Sequence, residues 1–206
     1  MWDRVLAVGA HPDDIEFGCG GALLRHAAQG ASITLVVVSD GARGGDATER
    51  AAEQTRAAEA LGAKVVMLRL PDGRLGPLDE LVTLLEEEIA SADPDLVYTH
   101  LPEDTHQDHI QTHRAMRIAA RQLANVLLFE SPRSPLLSSG IGVNIGSVIK
   151  EKATLLSTHA SQVRTRPELR SKSVRARAFL HGTRFGCDFA EMFVPLRFAL
   201  PLGSAE

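Results

Sequence analysis

The sequence predicts a single α/β domain in which a mostly parallel sheet carries helices on both faces. Short apolar runs rich in β-branched residues alternate with amphipathic segments of about 10 to 15 residues. The runs are too apolar for strands that face water on one side, which favours a parallel sheet covered by helices. The chain has 206 residues, 44% of them apolar, enough for one core without disulfides or a structural metal.

Five strands and four helices account for the first 130 residues. The strands are predicted at 5–9, 33–38, 64–68, 96–98 and 126–129, and the helices at 20–29, 48–61, 78–90 and 109–123. Ligands of parallel sheets lie beyond the carboxyl ends of the strands. The candidate site residues are therefore sought in the loops that follow these strands.

The pattern weakens after Glu130, where proline and glycine mark loops. Two helices are predicted there, at 147–158 and 168–180, the second ending at the cap His181-Gly182. Residues 192–198 are expected to form an edge strand interrupted by Pro195. We thus divide the single domain 1–206 into an α/β core over about 1–130 and a substrate-facing part over about 131–206.

Composition excludes several classes of protein. Cys19 and Cys187 show no paired spacing, so we expect no disulfide framework. The N-terminus lacks the features of a signal peptide, and no apolar run approaches the ~20 residues of a membrane span. We therefore expect a cytoplasmic protein without a membrane partner. The net charge of −4 argues against nucleic acid as a partner.

Positive charge is concentrated between Arg164 and Arg184. Seven Arg or Lys residues stand there against Glu168 alone, so the segment carries a net charge of +6 and the rest of the chain −10. One hypothesis is a lid that attracts an anionic group of a substrate. The favoured alternative is a solvated helix face whose Arg side chains cover apolar surface.

The loop after the first strand carries His11, Asp13 and Asp14 instead of a phosphate-binding glycine motif. Imidazole and carboxylate are zinc ligands, and these side chains would repel phosphate. Structural capping by an aspartate remains an alternative at this stage. The glycines of Gly18–Gly21 are expected to form a tight turn into the helix.

A second cluster follows the fourth strand, with His106, Asp108 and His109 at the start of a helix. The carboxyl ends of parallel strands share one sheet edge, so both clusters are expected to meet there. Together they offer enough groups for metal ligands, a general base and an oxyanion partner, although spacing alone does not assign the roles. His113 is either a further ligand or, as we favour, an exposed helical histidine.

These motifs resemble those of the LmbE-like, PIG-L-like zinc-dependent N-deacetylases, which act on N-acetylglucosamine-containing compounds. The resemblance depends on Ala10–Asp14, matching the family's HPDD motif, and on His106–His109, matching HxDH. Weaker matches lie around Asp40, Arg50–Glu53, Asp72-Gly73, His159–Gln162 and Ala190–Phe193. Together they span residues 5 to 193.

The resemblance implies a Rossmann-like fold, an amino-sugar small molecule as substrate and Zn²⁺ as cofactor, with another divalent metal left open. It leaves a homo-oligomer open as well. The implied roles are as follows: metal ligands His11, Asp14 and His109; general base Asp13; oxyanion or amine partner His106; orienting carboxylate Asp108; sugar contact Arg50.

Two departures from the family pattern concern the second motif. Gln107 replaces the usual proline, and Asp104-Thr105 stands where the family often has an aromatic or small polar residue. Two alternative functions stay open: an amidohydrolase acting on a non-sugar amide with the same zinc site, and a non-catalytic zinc-dependent binding protein. Release of acetate would separate these from a deacetylase.

Overall fold

The fold is taken from a computed structural model that describes residues 2–199, so the outermost ends of the predicted domain 1–206 lie outside the described residues. The strands are β1 Arg4–Gly9, β2 Ser32–Ser39, β3 Lys64–Leu70, β4 Leu96–His100, β5 Val126–Phe129, β6 Ile141–Asn144 and β7 Ala190–Arg197. The helices are α1 Asp14–Ala28, α2 Ala47–Leu61, α3 Leu78–Ala92, α4 Gln107–Ala119, α5 Ile149–Ser157, α6 Ala160–Thr165 and α7 Ser171–Arg184.

All seven strands form one sheet in the order β3-β2-β1-β4-β5-β7-β6. The first five pair in parallel, and β7 and β6 pair antiparallel. The strand order reverses between β1 and β4, and a crevice opens beyond the carboxyl ends of strands at such a point. The predicted fold class is therefore confirmed, and both sequence motifs follow the two strands at this reversal.

Apolar side chains fill a core on each face of the sheet. Residues of α1, α2 and α5 pack on one face, where Leu23, Leu61 and Leu155 are buried. Residues of α3 and α4 pack on the other, where Leu85 and Met116 are buried. Within residues 2–199, no helix is both long and apolar enough to cross a membrane.

The predicted turn at Gly18–Gly21 is wrong, because these residues lie inside α1, which begins at Asp14. The glycines permit close packing of this helix. A Cβ atom on Gly18 would lie 2.2 Å from the Phe129 ring, and one on Gly21 would lie 2.8 Å from Ile145. The cluster of glycines therefore indicates tight helix packing, and its interpretation as a turn was wrong.

The predicted edge strand is also wrong in its position, because β7 lies between β5 and β6. Its pairing with β6 ends at Phe193, and Pro195 pairs with β5 alone. A proline is tolerated there because its missing N–H would face the side that β6 has left. The short strand β6 and the helix α6 carry too weak a pattern to be predicted.

Candidate metal centre

Both motifs open into one cavity of about 380 Å³ at the carboxyl edge of the sheet. The loop after β1 supplies His11, Asp13 and Asp14, and the N-terminus of α4 supplies His106 and His109; all five line the cavity. The structure thus brings together two segments about 95 residues apart in the sequence, as expected from the sheet topology.

The imidazole of His11 is oriented by carboxylates behind it. Its Nε2 atom lies 3.1 Å from Oδ2 of Asp108 and 3.3 Å from Oδ1 of Asp72, so the ring proton is placed on Nε2. The opposite atom, Nδ1, lies 3.5 Å from Oδ2 of Asp14. Burial lowers the pKa of His11, but hydrogen bonds to Asp108, Asp14 and Asp72 outweigh this and raise it.

His109 is oriented in the same manner. Its Nδ1 atom lies 2.9 Å from Oδ2 of Asp104, and its Nε2 atom lies 3.3 Å from Oδ1 of Asp14. Burial lowers the pKa of His109, but Asp14 and Asp104 outweigh this effect and raise it to about 9. His11 and His109 therefore each direct one ring nitrogen at the carboxylate of Asp14. This arrangement favours a cation bound by the two nitrogens and the carboxylate.

Three overlapping groups in the described chain have potential ligand atoms within 4.8 Å of one another: His11–His106–His109, Asp14–His100–His109 and His11–Asp72–Asp108. Some of these potential ligand atoms already accept hydrogen bonds from the backbone and are therefore less available to a metal ion. Nε2 of His100 accepts the N–H of Ala10 at 3.0 Å, and Nδ1 of His106 accepts the N–H of Asp108 at 3.3 Å.

Asp72 and Asp108 are likewise engaged. Asp72 accepts the backbone N–H of Arg43 at 2.8 Å, and Asp108 accepts that of Gly73 at 2.7 Å, while both face His11. Asp14 then faces two imidazoles, with Oδ2 3.5 Å from Nδ1 of His11 and Oδ1 3.3 Å from Nε2 of His109, although His11, Asp14 and His109 do not together form one of the three groups. Two nitrogens and a carboxylate, each histidine backed by its own carboxylate, are a donor set that suits Zn²⁺ or a similar divalent ion.

Asp13 lies beside this set in a conformation that is unusual for a residue with a side chain. Its φ angle is 96°, in the left-handed region. Burial raises the pKa of Asp13 to about 6, and the neighbouring Asp14 contributes to this rise against the opposing effect of Arg50, His159 and Arg166. A carboxylate with a pKa near neutrality that lines a cavity has the properties of a general base.

His106 caps the N-terminus of α4, with its Nδ1 atom accepting the N–H of Asp108. The proton of the neutral ring is then on Nε2. Burial lowers the pKa of His106, and so do the adjacent His109 and His11. The side chain is thus suited to donate a hydrogen bond from Nε2 as a neutral imidazole.

Arg50 lines the cavity, but its guanidinium is engaged by the protein itself. It donates to the carbonyl oxygens of Gly41 at 2.6 Å and Pro12 at 2.8 Å, and lies 3.5 Å from Oδ2 of Asp13. Only 2% of the residue is exposed. These contacts support the loop that holds Asp13, while the predicted sugar contact of Arg50 stays a prediction.

Sequence reasoning did not assign roles to three further residues of the site: Asp72, His100 and Asp104. Burial lowers the pKa of His100 to about 4, and His109 contributes to this lowering, so His100 is neutral and accepts the N–H of Ala10. Asp72 and Asp104 lie behind His11 and His109, respectively. Asp104 stands next to the second motif in the sequence, but Asp72 is distant from both motifs, and the sequence does not show which histidine either carboxylate faces.

The favoured interpretation of His113 as an exposed residue is wrong. His113 is buried, and its Nδ1 atom lies 2.8 Å from the carbonyl oxygen of His100. The histidine thus connects α4 to the end of β4. It belongs to none of the candidate metal groups among the described residues.

The basic segment divides into two parts. Arg166 and Glu168 line the cavity, whereas Arg164 is exposed and faces Glu49 at 3.8 Å. The helix α6, which leads into the segment, is held by Glu53, which accepts from the backbone N–H and the hydroxyl of Ser161 at 2.8 and 2.7 Å. Arg166 and Glu168 thus face the cavity, whereas Arg175 and Arg177 lie over the rings of Phe189 and Phe17, as the favoured interpretation expects; both interpretations of the segment stay predictions.

The fold and the site together define an α/β enzyme with a candidate metal centre at the reversal of strand order. The chain belongs to the PIG-L family: the family described as GlcNAc-PI de-N-acetylase matches residues 6–120. This confirms the family predicted from the HPDD and HxDH motifs.

Two curated relatives carry deacetylase names. The uncharacterized deacetylase YaiS of Escherichia coli K12 is 37% identical over 136 residues, covering 62% of this chain and 74% of that protein. A 1D-myo-inositol 2-acetamido-2-deoxy-alpha-D-glucopyranoside deacetylase of Rhodococcus erythropolis is 29% identical, covering 64% of this chain and 57% of that protein. These names support the predicted class, a hydrolytic N-deacetylase.

Solved structures share the fold over nearly the whole chain. The conserved protein TT1542 from Thermus thermophilus has a TM-score of 0.87 at 26% identity and full coverage of both chains. The N,N'-diacetylchitobiose deacetylase from Pyrococcus horikoshii has a TM-score of 0.81 at 22% identity, covering 95% of this chain and 84% of that one. The hydratase GalB from Pseudomonas putida KT2440 has a TM-score of 0.79 at 22% identity, covering 98% and 100%. One fold therefore carries more than one activity, and the site must decide the function.

Proposed function

We propose that the protein is a metal-dependent N-deacetylase that removes the acetyl group from an N-acetylglucosamine-containing small molecule. The observation that carries the proposal is the convergence of His11, His109 and Asp14 beside Asp13, which has a raised pKa and lines the same cavity. The proposed metal is Zn²⁺, held by His11, Asp14 and His109. When bound, it supplies Lewis acidity to water and to a carbonyl oxygen.

Asp13 is the proposed general base. Its carboxylate takes a proton from the attacking water as the new bond to the acetamide carbon forms. The same proton then goes to the departing nitrogen when the carbon–nitrogen bond breaks, which yields the free amine and acetate. Burial raises the pKa of this carboxyl group above its ordinary value, which favours a role in accepting a proton and returning it.

His106 is the proposed partner of the carbonyl oxygen. Its Nε2–H can donate toward that oxygen as negative charge develops, because the Nδ1 atom is fixed by the N–H of Asp108. Asp108 therefore acts on two histidines at once, through its backbone on His106 and through its carboxylate on His11.

Release of acetate is the test of this proposal. The metal-stripped protein would be reconstituted with Zn²⁺ and incubated with a panel of N-acetylglucosamine conjugates. Asp13→Asn should lower turnover by about 10²–10⁴-fold while bound zinc remains one per chain. The exposed Asp79 provides the matched control, and Asp79→Asn should retain full activity.

Two results would contradict the proposal in different ways. Loss of zinc from Asp13→Asn would show that ligand and base are assigned incorrectly. Absence of acetate release from every conjugate, in a protein that holds one zinc per chain, would direct the search to non-sugar amides or to a binding role.

A further inference from the structure

Three arginines from separate segments line the outer part, or mouth, of the cavity, because Arg43 and Arg133 are exposed and Arg166 is half-buried, whereas the candidate metal centre is buried. Arg43 lies in the 3-10 turn after β2, Arg133 in the loop after β5, and Arg166 between α6 and the next turn. Within residues 2–199, none of their guanidinium groups forms a salt bridge or hydrogen bond, in contrast to Arg50, whose Nη1 and Nη2 atoms donate to backbone carbonyl oxygens. The mouth therefore presents cationic donors that no protein group satisfies among the described residues.

Glycines leave room for two of these side chains. A Cβ atom on Gly73 would lie 2.1 Å from Nη1 of Arg43, and a Cβ atom on Gly44 would lie 3.3 Å from Nη2 of Arg166. The guanidinium group of Arg43 thus packs against the backbone of Gly73, and that of Arg166 against the backbone of Gly44. Gln162 further holds the Arg166 segment by donating to the carbonyl oxygen of Gly44 at 3.2 Å.

The acidic and basic side chains that line the cavity differ in burial, since Asp13 and Asp14 are buried, whereas Arg43 and Arg133 are exposed. The acidic side chains Asp13, Asp14 and Asp72 lie with the histidines of the candidate metal centre, whereas Glu168 is the acidic residue that lines the cavity beside Arg166. An acetamide that reacts at the metal centre leaves the rest of the substrate to extend toward the mouth. A guanidinium group recognises carboxylate or phosphate through paired N–H donors.

We propose that this arginine mouth, formed by Arg43, Arg133 and Arg166, binds an anionic group on the substrate beyond its N-acetylglucosamine unit. The preferred substrates are then acidic conjugates that carry a carboxylate or a phosphate. The inference deepens the proposed function and depends on it, since it assigns the reacting amide to the metal centre.

A different role for the same arginines is to balance the carboxylates deeper in the cavity. In that case their removal would affect acidic and neutral substrates alike. The ratio of kcat/KM between an acidic and a neutral substrate therefore distinguishes the two roles, whereas either value alone does not.

Matched probes make this comparison direct. Methyl N-acetylglucosaminide is the neutral probe, carboxymethyl N-acetylglucosaminide adds a carboxylate, and N-acetylglucosamine 1-phosphate adds a phosphate. We expect kcat/KM for at least one acidic probe to exceed that for the neutral probe by about tenfold or more, the contribution of one hydrogen bond between charged groups. The KM of that probe should rise with salt concentration.

Arg166→Gln tests the mouth, and Arg164→Gln is its control two residues away. The acidic-to-neutral ratio should fall by about tenfold in Arg166→Gln. It should stay unchanged in Arg164→Gln, because Arg164 is exposed and does not line the cavity. Arg43→Gln and Arg133→Gln should each lower the ratio in the same direction.

Equal use of acidic and neutral probes by the unmodified protein would overturn the inference, as would an equal loss on both in Arg166→Gln. Either result leaves the proposed function intact, since acetate is still released. If no probe is deacetylated, the proposed function fails. The arginine mouth is then tested separately by calorimetry, which compares the binding of carboxymethyl glucosaminide with that of methyl glucosaminide. Equal affinity for the two would then refute it.

Discussion

Nδ1 of His109 lies 2.9 Å from Oδ2 of Asp104, in the loop that leads from β4 into α4. The hydroxyl of Ser131, from the loop after β5, donates to the same carboxylate oxygen at 2.5 Å. Asp104 also accepts the N–H of His106 at 2.8 Å through Oδ1. This carboxylate thus fixes the ring of a proposed metal ligand and ties together the loops after β4 and β5.

Asp104→Asn should weaken zinc binding by about 10–100-fold, because a neutral amide no longer stabilises the histidine as a basic ligand. Chelator competition measures the zinc affinity without recourse to activity. Glu103→Gln is the control, since Glu103 is exposed and its substitution removes the same charge one residue away. Unchanged affinity in a folded Asp104→Asn protein would refute the positioning role of Asp104.

The backbone of Asp13 predicts a difference between two substitutions that both remove its carboxylate. At φ 96° a residue with a Cβ atom is strained, whereas glycine is not. Asp13→Gly should therefore be more stable than Asp13→Ala by about 1 kcal/mol. Urea unfolding of the metal-free proteins measures this difference. Equal stabilities would mean that the loop relaxes when the side chain is lost.

The packing of α1 against β5 predicts opposite effects at two glycines of one helix. Gly18→Ala places a methyl group 2.2 Å from the Phe129 ring and should destabilise the protein by about 1–3 kcal/mol or more. Gly20→Ala meets Leu155 at an ordinary 3.4 Å and should be neutral or stabilising by up to about 1 kcal/mol. Thermal unfolding of the two variants measures both changes in stability. Similar losses of stability in Gly18→Ala and Gly20→Ala would contradict the packing argument.

His26 predicts a pH-dependent contribution to stability. Its Nε2 atom lies 2.9 Å from the hydroxyl of Tyr98, and burial, with a smaller effect of Arg25, lowers the pKa of His26 to about 4. The unfolded state binds the proton more readily, so this contribution is present above about pH 6.5 and is lost as the pH falls toward 4.

The size of the effect is about 1–3 kcal/mol, discounted because His26 is partly exposed. His26→Gln cannot titrate and should lose less stability than the unmodified protein between pH 7 and pH 4.5. Urea unfolding in the presence of a chelator measures both, so that metal release does not contribute. An identical loss in the two proteins would refute the assignment to His26.

Local pattern was sufficient for the fold class and for the location of the site. The alternation of apolar runs with amphipathic helices requires a covered parallel sheet, and the motifs follow β1 and β4 because polar residues stand directly after those runs. Gly18–Gly21 and His113 were misinterpreted because their roles depend on neighbours distant in the sequence: Phe129 and Ile145 for the glycines, and the carbonyl oxygen of His100 for the histidine.

The sequence by itself determined the α/β class, the family and the set of residues available for chemistry, since these depend on periodicity and on short motifs. Only the tertiary structure decided how those residues are paired. The ring nitrogen that each histidine directs at Asp14 depends on the carboxylate behind it, Asp108 for His11 and Asp104 for His109. The engagement of Arg50 and the open guanidinium of Arg166 were decided likewise, because hydrogen bonds between distant segments are set by folding and leave no periodic trace in the chain.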